Sequence, residues 1–197
     1  MIPVLPGRLV ATLLVAGTLA GCVDAAVEVE LTGPGAARAV VTQTMGADFY
    51  AMLTAEGRDG EEAVQRFCTD GDLVENRDGS ATCTIVLEGN VRQLSRSGDR
   101  PIRFTPEQDG LVRIELALDD VRDKIGAGET DDEGRRMLEA FFSGRKLTVS
   151  FSGAAIAETN MEVSADGNTA SAVLPLLDIV NETGKWPDVL YAVVEAP

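Results

Sequence analysis

An uncharged apolar run from Leu9 to Ala20, closed by Gly21 and Cys22, constrains this chain more than any other stretch. One positive charge, Arg8, stands ahead of it. At about 1.5 Å per helical residue, roughly a dozen residues reach about 18 Å. That is well short of a bilayer core of about 30 Å. A short apolar run behind a basic residue and ahead of small ones has the form of a removable export leader, not a permanent span. Residues 1–21 are therefore set apart as a signal peptide, and the folded body is expected to occupy residues 22–197.

The sequence Leu19-Ala20-Gly21-Cys22 resembles the lipobox of bacterial lipoproteins. The resemblance implies that the Cys22 thiol is diacylated, that the chain is cut before it, and that the new amine is acylated, palmitate being the expected chain type. A cysteine suits this chemistry because its thiolate is the side chain most readily alkylated near neutral pH. The other reading is an ordinary leader cut after small residues, with Cys22 left as a spare thiol. Each buried CH₂ contributes about 0.8 kcal/mol, and two acyl chains already give stable anchoring. A lipid anchor places the protein at the bacterial cell envelope. Val23, not aspartate, follows the cysteine, which resembles an outer-membrane destination facing the periplasm in Gram-negative cells, although Asp24 comes one place later.

Removing residues 1–21 from the 197 leaves 176, within the usual size of one domain. Arg8 is the leader's only charge, so the formal net charge moves from −15 to −16. So acidic a chain is not expected to bind nucleic acid, which needs lysine and arginine to displace counterions. Nor would it dock electrostatically on anionic lipid. Beyond Cys22 two cysteines remain, Cys68 and Cys83. Export places them where disulfides persist, and an even remainder favours pairing. Closing a loop of about 15 residues stabilises by roughly 3 kcal/mol in the chain-entropy model. A two-thiol metal or redox site is the alternative, without histidine partners or CxxC spacing.

The body begins as a hairpin. Val27, Val29 and Leu31 alternate with Glu28, Glu30 and Thr32, the period of a half-buried strand. Gly33-Pro34-Gly35 turns the chain, and Ala37 to Met45 returns it. Only Val23 to Ala26 separates the expected lipid from this hairpin, so the body should lie close to the bilayer. Ala47–Ala55 reads as a helix with Phe49, Met52 and Leu53 on one face, and Glu61–Phe67 as a second with Val64 and Phe67. The acidic stretch from Cys68 to Ser80 lacks the offsets of a calcium-binding loop and reads as solvated. Cys83, Ile85 and Leu87 share a strand face. Val91–Asp99 reads as an irregular loop with Arg92, Arg96 and Arg100 nearby. Further strands are expected over Ile102–Thr105, Val112–Leu118, Leu147–Phe151, Met161–Val163, Thr169–Val173 and Val189–Val194. Asp109-Gly110 and Asp166-Gly167 mark turns. Thr130 with Glu133 reads as a capping box for a helix over 131–143, buried through Met137, Leu138, Phe141 and Phe142 and ended by Gly144.

The pattern predicts one α+β domain, a largely antiparallel sheet with helices near 47–67 and 131–143 packed on one face. The chain has no histidine. That removes Ser-His-Asp and Cys-His chemistry and the histidine-based zinc hydrolase sites. No P-loop, Rossmann fingerprint or nucleophile elbow is present. The carboxylates fall mostly in turns and helix caps, and one tryptophan, Trp186, is few for a glycan-cleaving site. No catalytic, metal or cofactor role is expected.

Phe151-Ser152-Gly153, then Glu158-Thr159-Asn160, then Asp166-Gly167-Asn168 before an apolar strand, resembles LppM-type lipoprotein domains. A lipid-bearing cysteine leading straight into a hairpin is similar too. The resemblance implies a sheet with packed helices that binds lipid or glycolipid at the cell envelope. Members commonly carry a membrane-spanning helix after the domain; here Cys22 is the expected anchor. The leading expectation is thus a non-enzymatic, membrane-anchored module for a lipid or other amphipathic ligand, held in a cavity between sheet and helices lined by Phe49, Met52, Phe141 and Phe142. The rival is an assembly lipoprotein that engages an envelope protein through an exposed sheet edge or apolar patch.

Overall fold

A computed structural model describes residues 24–96, 101–125, 127 and 131–197. The leader, Cys22, Arg100 and Thr130 lie outside these residues. The first hairpin is β1 (Ala25–Gly33) and β2 (Ala36–Met45), followed by α1 (Ala47–Ala55) and α2 (Arg58–Phe67). Then come β3 (Asp72–Glu75), β4 (Ala81–Asn90), α3 (Val91–Arg96), β5 (Ile102–Pro106) and β6 (Leu111–Ala117). The chain continues through α4 (Leu118–Lys124), α5 (Asp132–Phe142), β7 (Lys146–Ser152), β8 (Ala155–Thr159) and β9 (Glu162–Val163). It closes with β10 (Thr169–Pro175), α6 (Leu176–Asn181) and β11 (Val189–Glu195).

The α+β class and the antiparallel bias are as expected, but the strands are shared between two sheets instead of one. A seven-stranded sheet runs β3-β4-β2-β1-β7-β10-β9, and a four-stranded sheet runs β5-β6-β11-β8. All pairs are antiparallel except β1 with β7. The cause of the division is visible at Phe151-Ser152-Gly153. After β7 the chain leaves the large sheet and enters the small one as β8, with Ala154 N donating to the Glu195 carbonyl at 2.8 Å. A Cβ on Gly153 would lie 2.5 Å from that carbonyl oxygen and 2.5 Å from Val194 Cγ1. Only glycine lets the two backbones approach this closely.

Period-two alternation then builds one core between the sheets. Val29, Leu31, Val149 and Phe151 from the large sheet face Ile114, Leu116, Leu190 and Val194 from the small one, all within one buried cluster. Each such side chain contributes about 1.5–3 kcal/mol when fully buried. Leu118, expected as a fourth inward residue of β6, instead opens α4, its N–H donating to the Asp188 carbonyl at 2.9 Å. With α6 it adds Leu118, Val121, Leu176, Ile179 and Val180 to the core, at the strand ends opposite Gly35 and Gly110. A second cluster joins Met45 of β2 to Phe49 and Leu53 of α1, Val64 and Phe67 of α2, and Phe141 of α5.

Cys68, at the end of α2, is joined to Cys83 of β4 by a disulfide with Cα atoms 5.5 Å apart. The helix over 131–143 is α5, and its cap is Asp131, whose carboxylate accepts the Gly134 N–H at 2.8 Å. Two elements, β3 and α3, depart from the expected loops. β3 lies in the stretch read as solvated, and all four of its residues are exposed. α3 replaces the irregular segment at Val91, started by Asn90 Oδ1 accepting Arg92 N–H at 3.0 Å. β8 and α6 occupy segments without a clear period.

Candidate functional site: a cleft between two turns

The four expected lining residues do not form one wall. Phe49, Phe141 and Phe142 meet edge to face, with ring centroids 4.9 Å apart for the first pair and 5.0 Å for the second. This is the geometry that the ring quadrupole favours. The Arg145 guanidinium lies 4.3 Å over the Phe141 ring. The rings therefore pack on one another and connect the two apolar clusters. Met52 stands apart, 49 % exposed. Its neighbour Leu53 takes the inward position of α1, four residues after Phe49, and one residue further round a helix of 3.6 per turn is enough to turn Met52 toward solvent.

Concavity lies elsewhere, between the turns of two hairpins. Pro34 and Gly35 of the β1–β2 turn form one side, and Pro106, Glu107, Gly110 and Leu111 of the β5–β6 turn form the other. Asn90, Val91 and Arg92 at the start of α3 bridge them, with Val112 behind, around a cleft of ≈ 290 Å³. That is near the lower end of small-molecule sites, about 300–1,000 Å³. Each side is held by its own hydrogen bonds. Val91 N donates to the Gly35 carbonyl at 2.9 Å, and Glu107 N to the Leu111 carbonyl at 2.8 Å. Gly35 adopts φ +72° and Gly110 φ +80°, conformations that favour glycine. The Glu107 carboxylate accepts from Arg113 Nε at 2.9 Å. Prolines, aliphatic side chains and glycine backbone make up most of the lining, with Arg92, Asn90 and the Arg113-paired Glu107 as polar groups. The arrangement can shelter an apolar segment and offer one cation to a polar end. It has no nucleophile with a neighbouring base.

A second cleft of ≈ 350 Å³ opens at the same end of the large sheet, lined by Glu30, Leu31, Ser152, Gly153, Asn168, Thr169 and Pro197. Its hydroxyls, amide and carboxylate suit water better than hydrocarbon. Among the described residues, shifted ionisations fall on exposed or half-buried surface groups. Tyr191 donates to Glu158 at 2.8 Å, which raises the phenol above its ordinary range, and the Arg113 guanidinium lies 4.6 Å over its ring. Tyr50 is raised in the same way by its hydrogen bond to Glu75. Among the described residues, no three or more Cys, Asp or Glu side chains come together in a metal-holding group. No helix of the described residues is long and apolar enough to cross a membrane.

The prolines, glycines and Val91 of this cleft carry no signal of a site in the sequence. Their only legible feature was turn chemistry at Gly33-Pro34-Gly35 and Gln108-Asp109-Gly110. No protein-family model matches the chain, and no curated protein matches it. A solved structure that does match is the folded domain of Mycobacterium tuberculosis LppM, determined by NMR. It aligns over 88 % of this chain and 90 % of that one, with 8 % identity and a TM-score of 0.46. At that score and identity, no residue role passes from one protein to the other.

Proposed function

We propose that the protein is a lipid-anchored protein of the bacterial cell envelope whose domain is a non-enzymatic binding module for an amphipathic ligand. The cleft between the β1–β2 and β5–β6 turns carries this reading. Its volume of ≈ 290 Å³ fits one apolar segment of such a ligand, and Arg92 stands where an anionic or polar headgroup would sit. Membrane attachment rests on the sequence Leu19-Ala20-Gly21-Cys22, with the acylated thiol as the tether. The absence of histidine from the chain supports a binding role over hydrolytic chemistry.

Native mass spectrometry of the protein purified from its own membranes tests the proposal. A copurified lipid-sized adduct is expected in the wild type and its loss in Leu111→Trp, which fills the cleft. An adduct retained by that variant would move the ligand elsewhere. One observation favours a second reading. On the edge strand β3, Leu73 is 37 % and Val74 57 % exposed, and unpaired edges invite another strand. Copurification of a protein, without lipid, would favour that assembly role.

A further inference from the structure

Asp24, just ahead of β1, is hydrogen-bonded to two strands of the large sheet. Its carbonyl accepts Thr44 N–H at 3.1 Å, and its carboxylate accepts Lys146 N–H at 3.2 Å. One residue, Val23, separates it from Cys22. Consecutive Cα atoms are about 3.8 Å apart, so the Cys22 Cα lies within about 8 Å of Asp24 in any conformation. A lipid on Cys22 meets the domain at this end. The nine residues of β1 then carry the chain about 30 Å to the β1–β2 turn, at about 3.3 Å per residue.

We propose that the domain stands upright on the lipid surface, with the Asp24 end as its foot and the cleft held at the far end. This rests on the reading of Cys22 as acylated. The foot has the composition such a contact needs. The register sets Val74 level with Thr82 and Thr44, hence with Asp24, and Val173 level with Thr148 and Ala26. Val74 is 57 % and Val173 49 % exposed. Trp186, 38 % exposed, reaches Asp178 in the first turn of α6, a helix that starts against the Arg145 carbonyl. Tryptophan suits a boundary where one side is apolar and the other wet. Lys146 and Arg77 are exposed at this end beside the acidic Glu75 and Asp78, so the short tether and the exposed apolar side chains, not net charge, carry the orientation. A ligand in the cleft must then leave the anchoring leaflet or arrive from outside it.

The test uses the acylated protein on vesicles of phosphatidylethanolamine and phosphatidylglycerol whose headgroups carry a nitroxide quencher. A fluorophore is placed at Arg77→Cys in the foot or at Gln108→Cys beside the cleft. Severalfold stronger quenching at position 77 is expected, with Cys22→Ser abolishing vesicle binding. Quenching at 108 equal to or above that at 77, with binding still dependent on Cys22, would overturn the orientation and leave the anchor intact. Binding that survives Cys22→Ser would overturn the anchor and the orientation with it.

Discussion

At the scale of single residues, two positions decide more than their neighbours. Gly153 sits where the chain crosses from one sheet to the other, against the backbone of β11. Gly153→Ala is expected to destabilise the domain by about 1–3 kcal/mol, as overpacking typically does; a fall in the urea midpoint measures it. Asp166 is different. Its carboxylate accepts the Ser164 hydroxyl at 2.6 Å, which holds its pKa below the ordinary carboxylate range. Asp78 is lowered likewise by Ser80. A carboxyl depressed in the folded state stabilises it above the unfolded pKa and loses that contribution as pH falls through the folded value. Asp166→Asn should therefore lower the urea midpoint at neutral pH and match the wild type in acid below the carboxylate range. A constant difference across pH would show that the charge is not responsible.

At the scale of elements, the long strands were legible because each has one buried face. Val27-Val29-Leu31, Val112-Ile114-Leu116 and Leu147-Val149-Phe151 alternate in sequence and in burial alike. The elements without a legible period lack that asymmetry. β3 is exposed at every position, so no alternation could mark it, and tertiary pairing with β4 alone defines it. α3 is six residues long, too short for a helical period. Its cap makes it testable: Asn90→Ala should cost about 1 kcal/mol and raise amide exchange over Val91–Arg96. Phe49, Phe141 and Phe142 mark apolar helix faces in the sequence, yet sequence cannot say whether rings line a space or fill it, nor that Met52 turns outward. The cleft was illegible for another reason. Pro34, Val91 and Leu111 are far apart in the chain and meet only because two hairpin turns end at the same height.

At the scale of the whole molecule, a disulfide ties α2 to the inner face of β4 and so couples the helical cluster to the large sheet. Removing it as the Cys68→Ser, Cys83→Ser double variant should cost about 3 kcal/mol, read as a lower thermal midpoint. The cleft lies at the opposite end of the large sheet, and its ligand adduct should survive that change once the protein is folded. On the proposed reading the division of labour is one of ends, with an attachment end and a binding end separated by the length of β1. Everything assigned to the membrane depends on the thiol at position 22. The most direct measurement is the mass of the N-terminal peptide from protein extracted from its native membrane. The account predicts a peptide that begins at Cys22 and carries acyl chains; a peptide that begins elsewhere, or an unmodified Cys22, would contradict it.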